Sequence, residues 1–141
     1  MIERLVVLLA VLAVALAVHL AVRHRRDRVT DGGGDRVDPD EVGLDRFPPA
    51  GAFVQFSSQV CAPCRVSLNR LAEAVAHHPG DATVVEVTVN RRPQLAQRHG
   101  VRSAPTILYV DSTGAVRRRW TRPPERAELE SLLDDAARLA V

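Results

Sequence analysis

One stretch of this sequence, Phe53 to Arg65, constrains the fold more than any other. In it an apolar run ends in a short polar turn, two cysteines follow, and a helical pattern begins. Cys61 and Cys64 are separated only by Ala62 and Pro63. Two thiols so close together at the start of a helix can close into a disulfide, or reopen, with little backbone movement. We therefore interpret this stretch as a redox site that the rest of the chain supports.

The composition limits the remaining functions. The chain has 141 residues, a formal net charge of +2 and no cysteine beyond this pair. The length predicts one domain beside an N-terminal segment. The small net charge does not indicate a nucleic-acid or acidic partner. Two cysteines cannot form a disulfide framework, so the pair is catalytic, metal-binding or inert.

The run from Leu5 to Val22 is almost entirely Leu, Val and Ala, with His19 as its one polar residue, and predicts a membrane anchor. At ~1.5 Å per residue it just spans a hydrocarbon core of roughly 30 Å. A cleaved signal peptide would need a basic start and a small-residue cleavage site. A buried core helix would show polar positions at helical spacing. We predict that residues 1–28 are a retained single-pass anchor in the cell membrane with a basic flank.

The flanks of this run predict its orientation. Arg23, Arg25, Arg26 and Arg28 follow the run, whereas only Arg4 and the amino terminus precede it. Arginine-rich flanks tend to stay in the cytoplasm. The sequence therefore favours a domain on the cytoplasmic face. Export of the domain is the alternative, because the amino-terminal end is short and weakly charged.

A linker is predicted over residues 29–50. Thr30 to Gly34 is rich in glycine, and three prolines resist regular structure. Val37 and Val42–Leu44 are candidates for a small packed segment at the edge of the domain. The domain itself is predicted over residues 51–141.

The domain reads as alternating strands and helices. Strands joined by crossover helices pair in parallel, and a turn at Asp111–Gly114 makes one pair antiparallel. The order β-α-β-α-β-β-α predicts an α/β fold with a mixed four-stranded sheet flanked by helices. The predicted strands are Ala52–Phe56, Thr83–Val89, Thr106–Val110 and Ala115–Trp120, and the predicted helices are Cys61–His78, Pro93–His99 and Pro124–Ala140.

The positions of the two cysteines predict unequal roles. A thiolate is the nucleophile, so the attacking cysteine needs a lowered pKa. The start of a helix lowers it through free backbone N–H groups and the helix dipole, and Cys61 lies there. Pro63 suits the first helical turn. Cys64 lies one turn further, on the core-facing stripe with Leu68, Leu71, Ala72 and Val75. We expect Cys61 to attack a partner disulfide and Cys64 to resolve the mixed disulfide.

Two other interpretations of the pair are weaker. A Cys-x-x-Cys pair is half a zinc site, and His77 follows at zinc-finger spacing. A second histidine three to five residues later is required, whereas His78 is adjacent. The other interpretation is two structural cysteines without chemistry.

The motifs resemble those of the thioredoxin superfamily. Phe56 to Arg65 is followed by Ser103-Ala104-Pro105-Thr106 before a strand, and the resemblance covers about Ala52 to Ala140. With an N-terminal anchor, the chain looks like the membrane-tethered thioredoxin-like proteins of bacteria. The resemblance implies a thiol-disulfide oxidoreductase that transfers electrons to protein disulfides and is recharged by a reductase or a membrane reductant. It implies no organic cofactor and no metal.

The resemblance also implies a substrate-binding surface. The Ala104–Pro105 peptide would be cis beside the cysteines, with Pro105 as part of the catalytic site and keeping metal away from the thiols. The backbone of Ala104 would be free to pair with a substrate chain. The expected substrate contacts are Val60, Ala62, Pro63, Ala104 and Thr106.

The chain departs from the family pattern at three places. Val60 stands where a tryptophan is usual, and Ala62 where a glycine is usual. Gln55 stands where a buried aspartate usually accepts the proton of the second cysteine. Glu86 lies in an apolar strand at a position that matches a family lysine. We hypothesise that burial raises the pKa of Glu86, which then takes the proton from Cys64. The alternative is an exposed or structurally paired Glu86.

Two features outside the cysteine pair receive structural interpretations. Arg117–Arg119 could suggest nucleic acid, but strand alternation places Arg118 on the opposite face, and an edge strand charged against aggregation explains the run better. His99 is interpreted as a helix-end residue. We therefore predict no nucleic-acid partner. The alternatives to an oxidoreductase are a binding module at the membrane and a redox sensor or metal-delivery protein without turnover.

Overall fold

The computed structural model describes residues 2–26, 30–31 and 34–139. The elements follow the predicted order closely. They are helix α1 (Ile2–Arg26), strand β1 (Thr30–Asp31), a 3-10 helix (Pro39–Val42), β2 (Ala52–Ser57), α2 (Ala62–His77), β3 (Thr83–Thr88), α3 (Pro93–Arg98), β4 (Thr106–Val110), β5 (Val116–Trp120) and α4 (Arg126–Leu139).

The sheet is mixed, as predicted, and its strand order is β1-β5-β4-β2-β3. β2 and β3 are parallel, whereas β4 is antiparallel to both β2 and β5. The four predicted strands are therefore confirmed, but the prediction of a single antiparallel pair is wrong, because β4 is also antiparallel to β2. The expectation of only four strands needs correction, because the two-residue strand β1 pairs with β5 through Thr30 and Arg119 and extends the sheet.

β2 is the central strand around which the core forms. All six of its residues are buried, because helices or the N-terminal segment cover both faces of the sheet. Phe53 packs with Leu71 of α2 and Leu129 of α4 on one face. Phe56 packs on the other face with Leu95 of α3. The strand ends at the turn that leads to the cysteines.

Helix α2 buries a narrower stripe than the periodicity predicts. Its buried residues are Cys64, Ser67 and Leu71. Leu68 is half-buried and Ala72 is exposed, so the predicted stripe is wrong at Ala72. The polar residue Ser67 is buried on this face of the helix, and it has a polar partner in the strand beneath it.

Residues of the predicted linker pack against the sheet. Val37, Val42 and Phe47 are buried in the same core cluster as Phe56. Backbone hydrogen bonds hold the segment on β5 and its turn, where Val37 N–H donates to Gly114 and Val116 N–H donates to Asp35. The expected packed segment at Val37 and Val42 is confirmed, and it is larger than predicted.

The glycine at the entry to β2 occupies a tight position. Gly51 has φ of +80°, and a Cβ built there would lie 2.4 Å from the carbonyl oxygen of Val110. Gly51 N–H also donates to Pro48 in the turn before the strand. A glycine is therefore required both by the conformation and by the close approach of β4.

The prediction of a membrane anchor is corrected by the structure. Leu5–Val22 lies within α1, which carries charged residues near both ends. In the part of the chain that the structure describes, no helix has the length and apolar character that crossing a membrane requires. The predicted cell-membrane localisation, with a domain on the cytoplasmic face, is therefore wrong.

Candidate active site

Cys61 and Cys64 form a disulfide between the end of β2 and the start of α2. Their Cα atoms are 5.3 Å apart and their sulfur atoms are bonded at 2.03 Å. The structure therefore represents the oxidised state of the pair. The four residues from Cys61 to Cys64 form the entry to α2, so the bond joins the N-cap residue to the first turn of the same helix.

The two sulfur-bearing residues differ in exposure. Cys64 is buried, with 3% of its surface exposed, and it belongs to the core-facing side of α2. Cys61 is half-buried and precedes the first helical residue. The neighbouring Val60, Ala62 and Pro63 are exposed, and Val60 is 96% exposed. A partner protein can therefore reach Cys61, whereas Cys64 is shielded.

Cys61 is the N-cap of α2. Its backbone is extended, and its Sγ accepts a hydrogen bond of 3.2 Å from the backbone N–H of Cys64. Pro63 lies in the first turn, where a residue without an N–H leaves no donor unpaired. The N–H of Cys64, which points at this sulfur, and the positive end of the helix dipole both favour negative charge on Cys61 Sγ.

Gln55 lies directly beneath the first turn of α2 and is fully buried. Its Nε2 donates to the backbone carbonyl of Cys64 at 2.9 Å and to Ser57 Oγ at 3.0 Å. Its Oε1 accepts a 2.6 Å hydrogen bond from Ser67 Oγ. The amide therefore uses both of its donors and its acceptor, and it ties β2 to the helix that carries the cysteines.

Ser67 is a site residue that the sequence prediction missed. Its hydroxyl lies 3.1 Å from the carbonyl oxygen of Pro63 and 3.0 Å from that of Cys64, in addition to Gln55. The hydroxyl has one proton to donate to these three acceptors, so we assign its main hydrogen bond to Gln55 Oε1, which is the nearest. The signal that could have identified Ser67 is its position three residues after Cys64, on the same helix face.

The Ala104–Pro105 peptide bond is cis, which is the geometry that the family resemblance implies. Thr106 is the first residue of β4 and pairs with Phe56 near the end of β2. Pro105 therefore lies at the end of the sheet from which the chain leads to Cys61. Thr106 Oγ1 donates to the carbonyl of Ser103 at 2.7 Å and closes this turn.

Ala104 presents polar backbone atoms at the same edge. It is half-buried, and within the described residues its N–H and C=O make no backbone hydrogen bond. An extended segment of a partner could pair there as an added strand does. Val60, Ala62, Pro63 and Ala104 thus border one surface, whereas Thr106 is buried beneath it.

The hypothesis for Glu86 does not survive the structure. Glu86 pairs in register with Gln55, so it lies on the same face of the sheet. However, β3 is an edge strand and the Glu86 side chain is exposed. The burial on which the proposed proton transfer depended is absent. The alternative interpretation, in which Glu86 points to solvent, describes the structure.

The histidines do not join the cysteines. His77 lies at the end of α2, where its Nδ1 is 2.7 Å from the carbonyl oxygen of Glu73. Across the described ranges, no three His, Cys, Asp or Glu side chains are grouped as metal ligands. His99 caps the C-terminal end of α3, is buried, and lies 3.0 Å from Asp35 Oδ2 through its Nδ1. It therefore attaches the N-terminal segment to α3.

Comparison with known proteins shows which family this fold and this cysteine pair belong to. The family model for thioredoxin matches residues 49–135. Thioredoxin 1 of Nostoc sp. is 34% identical over 56 residues, which are 40% of this chain and 52% of that protein. A thioredoxin of Streptomyces clavuligerus is 35% identical over 55 residues, which are 39% of this chain and 50% of that protein. The chain thus spans about half the length of these curated relatives.

Solved structures show the same fold. Thioredoxin-2, a component of malaria parasite protein secretion machinery, superposes with a TM-score of 0.57 at 15% identity over 77% of this chain and 99% of that chain. Chloroplastic thioredoxin z superposes with a TM-score of 0.54 at 19% identity over 62% of this chain and 78% of that chain. At these identities the likeness concerns the fold alone.

Proposed function

Because this chain belongs to the thioredoxin family, we propose that it is a thiol-disulfide oxidoreductase that reduces disulfides in partner proteins. The exchange takes place at Cys61 and Cys64. We assign it to the predicted domain over residues 51–141, with residues 35–50 as a packed N-terminal segment of that domain. An electron-donating reductase, or another thiol reductant, returns the pair to the dithiol state.

The observation that carries this proposal is the unequal placement of the two sulfur atoms. Cys61 is accessible at the N-cap of α2, whereas Cys64 is buried one turn away. Equal exposure would let either thiol attack, and two buried thiols would let neither attack. The geometry instead supports a fixed order, with Cys61 first and Cys64 second.

The first step begins from the reduced pair. The N–H of Cys64 and the N-terminus of α2 stabilise a thiolate on Cys61 relative to the thiol. This thiolate attacks one sulfur of the partner disulfide. A Cys61–partner disulfide forms, the partner S–S bond breaks, and one partner cysteine leaves as a thiolate that takes a proton from solvent.

In the second step the thiol of Cys64 loses its proton and attacks Cys61 Sγ. The Cys61–Cys64 disulfide forms and the second partner thiolate leaves, so two electrons pass from the pair to the partner. Gln55 is an amide and cannot accept the proton, although it contacts the Cys64 backbone. We assign the proton to the departing partner thiolate or to water at the half-buried Cys61.

Two cysteine variants test the order of these steps. The reduced full-length chain should reduce a disulfide-bonded peptide, and Cys61→Ser should abolish this activity. Cys64→Ser should accumulate a one-to-one mixed disulfide on Cys61, detected by mass after alkylation. A Cys61→Ser protein that reduces the peptide at the wild-type rate would refute the proposal, and one that keeps biological activity without reducing the peptide would favour a binding module. Reversible oxidation without peptide reduction would favour a redox sensor.

A further inference from the structure

We infer that the surface around the disulfide selects partner disulfides that are flanked by acidic side chains. The inference rests on the proposed function and specifies its substrate class. It is carried by three exposed arginines, Arg65, Arg91 and Arg102, which belong to three elements that strand pairing places at the same end of the sheet. We call these three residues the cationic rim.

Arg65 belongs to the helix that carries the cysteines. It follows Cys64 directly, in the first turns of α2, and its side chain is exposed. Cys64 faces the core, so the next residue is turned about 100° around the helix axis toward solvent. One positive charge thus lies within a turn of the attacking sulfur.

Arg91 approaches from the parallel strand. β2 and β3 end side by side, because Ser57 pairs with Thr88. Arg91 lies in the tight turn that follows β3, where its N–H donates to the carbonyl of Thr88 at 3.0 Å. The turn therefore holds this arginine at the end of the sheet where the chain leaves β2 toward Cys61.

Arg102 approaches from the antiparallel strand. It precedes Ala104 and the cis peptide by two residues, in the turn that enters β4. β4 begins opposite Phe56, so this turn lies at the same end of the sheet as the end of β2. The third charge therefore lies beside the backbone at which a partner segment is proposed to pair.

Within the described residues, these three arginines have no carboxylate ion-paired with them, a property that they share with several other exposed arginines. Within the described residues, none of the three side chains has a hydrogen bond or ion pair. By contrast, Arg98, Arg117, Arg122 and Arg126 form ion pairs with Glu41, Asp111, Glu128 and Glu73, respectively. Glu41 lines a cavity with Arg91, but its carboxylate is ion-paired with Arg98, and Glu86 is the exposed carboxylate of β3. The rim therefore retains a net positive charge.

An unpaired positive rim around an apolar contact favours one kind of partner. Val60 offers apolar surface at the centre, and the surrounding charges attract acidic side chains during approach. Exposed charge pairs contribute little each, but they act together on the encounter rate and are weakened by salt. Basic side chains beside a partner disulfide are repelled by the same field.

The test uses three cyclic peptides that share one disulfide and differ only in the two flanking residues, which are Asp, Ser or Lys. The reduced full-length chain is mixed with each peptide in a single turnover, in which the protein dithiol becomes a disulfide and the peptide disulfide becomes a dithiol. Rates are divided by those of dithiothreitol with the same peptide, because flanking charges also change the reactivity of the peptide itself.

We expect the Asp peptide to react roughly three- to tenfold faster than the Lys peptide at low salt. The ratio should approach one near 1 M salt, where the Debye length is about 3 Å. The variant Arg65→Glu/Arg91→Glu/Arg102→Glu should reverse the preference. The variant with glutamine at all three positions should show no preference.

Arg46→Glu is the matched control. Arg46 is exposed and lies with Asp81 and Ser112 at the opposite edge of the sheet. This variant should keep the wild-type preference. Equal normalised rates for the Asp and Lys peptides, a ratio insensitive to salt, or an equal effect of Arg46→Glu would overturn the inference while the proposed function stands. If the Ser peptide is not reduced either, the proposed function fails and the inference about its substrate fails with it.

Discussion

The side-chain amide of Gln55 donates a 2.9 Å hydrogen bond to the backbone carbonyl of Cys64. This bond joins the central strand of the sheet to the first turn of the helix that carries both cysteines. The acceptor of the same amide is filled by Ser67. The position of the resolving cysteine thus depends on a neutral, fully satisfied and buried polar group.

Replacing this amide by an apolar group should destabilise the protein. Gln55→Leu removes the amide donor from the Ser57 hydroxyl and from the Cys64 carbonyl, whereas Ser67 Oγ keeps a backbone carbonyl to donate to. Each unsatisfied buried polar group costs about 1–3 kcal/mol. We expect the free energy of unfolding, measured by urea denaturation of the oxidised protein, to fall by about 2–4 kcal/mol.

A double-mutant cycle distinguishes the hydrogen bond from simple loss of packing. Ser67→Ala should cost about 1 kcal/mol or more, because Gln55 Oε1 then loses its donor. In the Gln55→Leu background the same change should cost much less. Additive effects of the two substitutions would show that the two residues are energetically independent, contrary to this account.

Glu86→Gln should leave resolution of the mixed disulfide unchanged. The carboxylate is exposed on the edge strand β3, so it is not positioned as a desolvated proton acceptor behind Cys64. The measurement is the rate at which a preformed mixed disulfide on Cys61 releases its peptide at pH 7. A release rate more than threefold slower than that of the wild type would reinstate Glu86 as the proton acceptor.

Gly51→Ala should destabilise the fold by more than about 1 kcal/mol. A methyl group would lie 2.4 Å from the Val110 carbonyl oxygen, and the positive φ is unfavourable for alanine. The midpoint of thermal unfolding should fall accordingly. Gly43→Ala is a control with a similar φ of +77° but no atom within 4 Å of the added carbon. Equal losses in the two variants would assign the effect to φ and not to the close approach of β4.

Glu128 should contribute an acid-sensitive part of the stability. Burial by itself would raise the pKa of Glu128, but hydrogen bonds from Arg122 and from the Glu125 N–H outweigh burial and lower that pKa from 4.5. The pair is bidentate, with distances of 3.0 and 2.7 Å. A lowered pKa in the folded state means that the stabilisation is complete above pH 4.5 and is lost as pH falls through the folded value.

Comparison with Glu128→Gln measures this contribution. We expect the wild type to be more stable than the variant at pH 7 and the difference to shrink progressively below pH 4.5, as measured by urea denaturation at several pH values. Arg122→Gln removes the pair from the other side and should show the same convergence with the wild type. A difference that stays constant down to pH 2.5 would contradict the assignment.

The local features of the site could be predicted from the sequence because they depend on neighbouring residues. The spacing of Cys61 and Cys64 at a strand-to-helix junction determines their disulfide and their unequal exposure. The alternation of apolar runs with turn residues determines the strands, and β4 begins and ends where predicted. The motif around Pro105 indicated the cis peptide through family resemblance, not through any local preference.

Only the tertiary structure decided the features that depend on distant parts of the chain. The partner of Gln55 is Ser67 because the register of α2 over β2 brings them together, and hydrophobic periodicity does not report a buried serine. Glu86 is exposed because β3 is an edge strand, and strand order cannot be read from composition. The cationic rim exists because the start of α2, the turn after β3 and the turn before β4 lie at the same end of the sheet. Sequence patterns record what each residue prefers, whereas topology decides which neighbours it meets.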